Sequence, residues 1–239
     1  MPEINDLKKD LEKAADPEKA KLLQRFFKTG KGEYGEGDVF LGIVVPKQRE
    51  VAKKYQDIEL SEMSHLLSSE IHEFRLVALL ILTYKLKNKH ITIQEKEKIF
   101  HFYLKNAQKG NINNWDLVDL SAPNIVGTHL LDKDRKILYK LAKSNNLWEK
   151  RISVLATFMF IKYKDYKDSL KIAELLLEDK HDLMDKAVGW MLREIGKRDT
   201  KEEEKFLKKH YKKMPRTMLR YAIEKFPENK RQAYLNGKI

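Results

Sequence analysis

Apolar residues recur three and four positions apart through almost the whole chain, and no run alternates strictly, so the pattern reads as all-α. Helix-start signals punctuate it: Ser61 before Glu62, Asn114 before Trp115, Asn146 before Leu147, Asp168, Asp182, and Pro215 before Arg216. Between them the spacing predicts helices of about 10 to 17 residues. Pro123 lacks a backbone donor and is expected to end one helix and begin the next, which places Asp119 near a helix C-terminus.

A second periodicity lies above the first. The segments His72-Glu73-Phe74-Arg75-Leu76, Trp115-Asp116-Leu117-Val118-Asp119, Trp148-Glu149-Lys150-Arg151-Ile152 and Met184-Asp185-Lys186-Ala187-Val188 each begin a predicted helix, 43, 33 and 36 residues apart. Repeats of about 33 to 47 residues built from paired helices are the signature of α-solenoids. The match is degenerate, and coincidence is the alternative. The expected architecture is a single domain over residues 1–239, a curved α-solenoid of helix pairs. Residues 1–38 would hold N-terminal helices and a glycine-rich connector, and 39–239 the repeats.

Charge narrows the partner. The formal net charge is +12, and residues 193–239 alone hold 15 Lys/Arg against 7 Asp/Glu. A basic face centred there would suit nucleic acid, an acidic membrane surface or an acidic protein. The absence of cysteine excludes disulfides, a thiolate nucleophile and a Cys-ligated metal. The segment from Met1 to Ala15 has no apolar signal core, and no stretch nears the roughly 18 apolar residues of a membrane span. A cytoplasmic monomer is expected.

Two columns of the repeat are broken by residues that carry chemistry. Where three copies have Leu76, Ile152 and Val188, the second has Asp119, four positions after Trp115 and so on the same helical face. Two readings stand: a solvated or capping Asp119 in a misjudged register, or an acid held in a cleft beside an indole. Trp190 stands where another copy has Val154, with Gly189 before it and Arg193 three residues on. A lone Trp is most simply core, but two on equivalent helices, with an acid and arginines, suit a sugar or base and its phosphates.

Other constellations are weaker. Gly30-Lys31-Gly32-Glu33-Tyr34-Gly35 satisfies G-x-G-x-x-G formally, but without a preceding strand it reads as a flexible connector, in which Tyr34 either reaches DNA or packs. The seven histidines show no zinc spacing, and no metal or cofactor is expected. Lys201 to Lys213 alternates Lys and Glu as a solvated face does, whereas Arg216 and Arg220, four apart at a helix start, are candidates for phosphate contact.

Together Asn114-Trp115-Asp116-Leu117-Val118-Asp119, Leu147-Trp148-Glu149-Lys150-Arg151 and Lys186-Ala187-Val188-Gly189-Trp190-Met191-Leu192-Arg193-Glu194 resemble the DNA alkylation repair (AlkD-like) family of DNA glycosylases. The resemblance extends to Gly35–Pro46 and Pro215–Phe226. It implies a HEAT-like-repeat fold that cradles double-stranded DNA and excises cationic N3- or N7-alkylated purines. By position it makes Asp119 the catalytic acid, Trp115 and Trp190 the cleft aromatics and Arg151 the nearby basic residue. The residues before Phe40 depart from the family pattern. Rival expectations are a non-catalytic protein that binds bent or branched DNA, and a scaffold that holds other proteins.

Overall fold

The computed structural model describes residues 4–239, and among them every regular element is a helix, joined by one isolated parallel bridge between Val39 and Ile71. The all-α class follows from the periodicity as expected. The chain forms two compact units, one ending at Ile125 and the other beginning at Val126.

The first unit contains α1 (Ile4–Lys13), α2 (Pro17–Phe26), α3 (Val45–Lys54), α4 (Leu60–Leu67), α5 (His72–Lys87), α6 (Ile93–Gln108) and α7 (Trp115–Ala122). Its axis is α5, in which every residue from His72 to Thr83 is buried. A helix buried on all sides needs neighbours on all sides, and α1, α3, α4 and α7 supply them. Leu76, Leu79 and Leu80 are fully buried there, each stabilising the unit by about 1.5–3 kcal/mol. The polar residues His72, Glu73 and Arg75 occupy the N-terminal turn of α5, where the chain from residues 27 to 43 arrives.

The second unit contains α8 (Lys136–Ala142), α9 (Leu147–Lys162), α10 (Lys167–Leu175), α11 (Asp182–Gly196), α12 (Thr200–His210), α13 (Arg216–Ala222) and α14 (Glu228–Leu235). Here α9 is the buried axis, contacted by α8, α10 and α11, and α11 in turn receives α12 and α13. Gly189 permits the last approach: a Cβ there would lie 2.4 Å from the Met218 carbonyl oxygen. The close neighbour of this glycine is therefore a helix of its own chain.

The four aligned segments all open helices, with His72 and Trp115 first in α5 and α7, Trp148 second in α9 and Met184 third in α11. Asn114 and Asn146 cap α7 and α9 through their side chains, because each leaves an oxygen facing unpaired amides of the first turn. The signals at Ser61 and Asp168 miss by a residue or two. The Asp168 carboxylate accepts from Arg135 at 2.8 Å and from the Tyr139 hydroxyl, so it is not the cap of α10. At Pro123 α7 gives way to a five-residue π-type turn, Pro123–Gly127.

Candidate functional site

Asp119 breaks its column in space as well as in sequence. Leu76, Ile152 and Val188 are completely buried, whereas Asp119 is only half-buried, and so is Trp115 one turn before it. An apolar side chain at this position would face solvent, which explains why the apolar repeat lapses here. Beneath lies Tyr103, fully buried, whose hydroxyl is 2.9 Å from Ser121 Oγ. Burial pushes the Tyr103 phenol up, and the charge of Asp119 pushes it the same way, so it remains protonated.

The indole of Trp115 is set by a ladder of rings. Phe27 lies flat against it, with centroids 4.9 Å apart and planes 7° from parallel. Phe27 stacks in turn on Phe40 at 4.9 Å, and Phe40 on His72 at 4.5 Å. Phe26 meets Trp115 edge-on at 5.8 Å while remaining 62% exposed, a large ring left in water beside the candidate aromatic. Sequence reading passed over Phe26 and Phe27, although two consecutive aromatics at the end of a charged helix were a visible signal.

Behind the ladder sits a buried ionic cluster. His72 Nδ1 is 2.9 Å from Asp38 Oδ2 and its Nε2 is 2.8 Å from Asp116 Oδ2. Arg75 pairs with the other oxygen of Asp38 at 2.5 Å and donates to Asn113 Oδ1. Burial works to lower the pKa of His72, but the charge and hydrogen bond of Asp116 and the bond to Asp38 overcome it and hold the imidazole up at about 9. Burial likewise works to raise Asp38, yet its bond to His72 and the Arg75 charge hold it below the usual carboxylate range. Nothing in local sequence announces this cluster, since its members are 34 and 44 residues apart.

The stretch expected to be a flexible connector is instead a hydrogen-bonded series of turns. Gly35 N donates to Lys28 O at 3.1 Å and Asp38 N to Gly35 O at 3.1 Å, while Glu33 and Glu36 carboxylates accept from Gly30 N and Gly32 N. Gly35 is buried, with room for no Cβ: one would stand 2.5 Å from the Phe27 carbonyl oxygen. The glycines thus serve tight passage rather than freedom. Tyr34 is half-buried there, its ring under Lys28 Nζ at 6.0 Å. Farther on, Glu73 closes the segment by accepting from the amides of Leu41, Gly42 and Ile43 at 2.9 to 3.1 Å.

The remaining candidates belong to the second unit. Trp190 is half-buried, tilted against Phe158 at 6.3 Å, and its Nε1 donates to Glu194 at 3.3 Å. Burial works to raise the Glu194 carboxyl, but Lys197 at 2.5 Å and Arg198 at 3.0 Å hold it below its ordinary value. Arg151 is buried and donates from Nη1 to the Leu183 carbonyl at 2.6 Å. Arg193 pairs with Glu224. Arg216 and Arg220 are both exposed on α13, one turn apart, and Arg216 also donates to the last carbonyl of α14, at Leu235.

Comparison with known proteins gives this geometry a family. A solved structure described as a predicted DNA alkylation repair enzyme from Enterococcus faecalis is similar over 90% of this chain and 97% of its own, with a TM-score of 0.65 at 15% identity. That likeness is one of fold. No curated protein matches the chain. The family described as DNA alkylation repair enzyme matches residues 7–226, a span that takes in both units and every candidate residue named above. By that match the chain belongs to the DNA alkylation repair enzyme family.

Proposed function

We propose that the protein is a monofunctional DNA glycosylase that hydrolyses the N-glycosidic bond of cationic N3- or N7-alkylated purines in double-stranded DNA. The observation that carries this reading is Asp119 itself, a half-buried carboxylate in a column otherwise fully buried and apolar, one turn from the half-buried indole of Trp115. A purine already positively charged leaves without being protonated. What the enzyme must supply is a negative charge beside the sugar that becomes oxocarbenium-like, and an acceptor for the proton of the attacking water. A carboxylate does both.

The flat face of Trp115, one turn from Asp119, suits the cationic deoxyribose, a contact that stabilises it by about 0.5 to 2 kcal/mol, and Trp190 offers a second aromatic face of the same kind. Arg193, Arg216, Arg220 and Tyr34 are the proposed DNA contacts, Arg151 would join them only by leaving the Leu183 carbonyl against which it is buried, and membership of a DNA repair family supports DNA as the partner. The exposed ring of Phe26, edge-on to Trp115, is added to them. The test is Asp119→Asn on methylated duplex DNA, with released purines identified by mass spectrometry. The expected result is a loss of at least about a hundredfold in single-turnover release, with duplex affinity changed less than twofold. Unchanged release removes Asp119 from catalysis, and no release from the unmodified protein leaves a DNA-binding role alone.

A further inference from the structure

The ring ladder ends on His72, and the ionic cluster begins on it. Trp115 stacks on Phe27, Phe27 on Phe40 and Phe40 on His72, while Phe27 also approaches His72 directly at 5.1 Å. Both ring nitrogens of His72 face carboxylate oxygens at hydrogen-bond distance, Asp38 on the connector and Asp116 on α7. A carboxylate only accepts, so both nitrogens must carry protons and the ring is an imidazolium. His72, Asp38 and Asp116 are 1, 4 and 6% exposed, so water does not replace either bond.

The cluster reaches Trp115 by two paths. Asp116 follows Trp115 in the chain, and its other oxygen accepts from Leu117 N at 2.8 Å, so the carboxylate is fixed to the first turn of α7. Asp38 also accepts from Asn114 Nδ2 at 3.1 Å, and Asn114 Oδ1 accepts from Trp115 N at 2.8 Å. The charged groups around the ring are Asp38 from the connector, Asp116 from α7, and Arg75 and Glu73 from α5 itself, where Glu73 is engaged by the amides of residues 41–43. With Glu73 taken up by those amides, the cations His72 and Arg75 balance the anions Asp38 and Asp116. Removing the imidazolium proton leaves a bare nitrogen facing an anion, and one of the two bonds must open.

We propose that His72 is a positioning residue for Trp115, its imidazolium clamping the connector to α7 and so holding Phe27 flat against the indole. The clamp is a property of the folded chain without DNA. Its effect on excision rests on the glycosylase reading above, so the two are measured separately.

In full-length protein carrying Trp148→Phe and Trp190→Phe, emission reports Trp115 alone, and its quenching by acrylamide is followed with helical circular dichroism from pH 6 to pH 10. The expected result is constant shielding to about pH 8 and a rise of at least twofold centred near pH 9, the value at which His72 gives up its proton, with helicity retained. Asp116→Asn keeps an acceptor for Nε2 but removes the charge, and moves that midpoint down by at least one pH unit. Phe27→Leu leaves the ionic clamp intact and gives strong quenching already at pH 7. A flat profile in the unsubstituted background, an unmoved midpoint in Asp116→Asn, or unchanged shielding in Phe27→Leu overturns the proposal.

With all three tryptophans present, Asp116→Asn is expected to slow single-turnover purine release at pH 7 at least tenfold with duplex affinity unchanged. Shielding that behaves as described without any purine release from the parent protein defeats the glycosylase reading and leaves the clamp standing. Release that does not slow in Asp116→Asn overturns the link between clamp and reaction.

Discussion

Trp115 and Trp190 are both half-buried, yet different forces hold them. Trp115 leans on a stacked ring, in a ladder that ends in a buried ion cluster. Trp190 has a tilted ring neighbour at 6.3 Å and is fixed by its ring N–H on Glu194, a buried carboxylate gripped by two partly exposed cations. Stacking resists displacement across its whole area, whereas one hydrogen bond fixes a single point and leaves a swing about it. The first indole is therefore set by packing and the second by electrostatics.

The buried charges repeat the contrast. His72 in the first unit and Glu203 in the second are each about 1% exposed, and both have raised pKa values, near 9 and near 8. His72 is raised by its partners against the effect of burial. Glu203 is raised by burial itself, with the neighbouring Glu204 adding to it, and its Oε1 has no hydrogen-bond partner. A similar displacement thus marks a stabilising ion in one unit and a reluctant one in the other.

The largest test of the contrast is Phe27→Ala, which should destabilise the protein by about 3–5 kcal/mol in denaturant unfolding. Phe158→Ala, beside Trp190, should cost no more than about 2 kcal/mol because that ring is only half-buried. Equal losses would erase the distinction between the two tryptophans.

The next test is pH. His72 has a folded value of about 9 above its ordinary 6.5, so its stabilisation is complete below pH 6.5 and is lost as pH rises through 9. Glu203 has a folded value of about 8 above 4.5, so stability also falls as pH climbs from 4.5 to 8, here because the fold resists ionisation. Glu203→Gln is expected to raise stability by about 1–3 kcal/mol at pH 9 and to leave it nearly unchanged at pH 4. A variant less stable than its parent at pH 9 would mean that the Glu203 carboxylate is paired after all.

The smallest effect is expected from Glu194→Gln. The amide oxygen still accepts from Trp190 Nε1, and although Glu194 is itself buried, the Lys197 and Arg198 cations it pairs with are partly exposed and can turn to water, so the change in stability should stay below about 1 kcal/mol. A larger loss in thermal unfolding would mean that the two cations do not regain water when the carboxylate is gone.

Much of the fold was legible in the chain itself, because its signals are local. A period near 3.6, the caps Asn114 and Asn146, and the break at Pro123 each depend on groups within about one helical turn. The lapse of the apolar column at Asp119 could be read for the same reason, since the repeat supplies its own comparison with Leu76, Ile152 and Val188. The connector was misread because glycine permits both looseness and tight passage, and only the neighbour at 2.5 Å from a Gly35 Cβ separates them.

What the sequence determined alone, then, was the all-α class, the helix starts and the pairing of Trp115 with Asp119 on one helical face. The tertiary structure decided how Trp115 is held. Phe27, Asp38, His72 and Asp116 meet across three segments of the first unit, and a contact between residues 34 or 44 positions apart leaves no periodic trace. A histidine at the start of an apolar helix looks the same in sequence whether it meets water or two carboxylates. Only packing excludes the water, and that exclusion makes its charge matter.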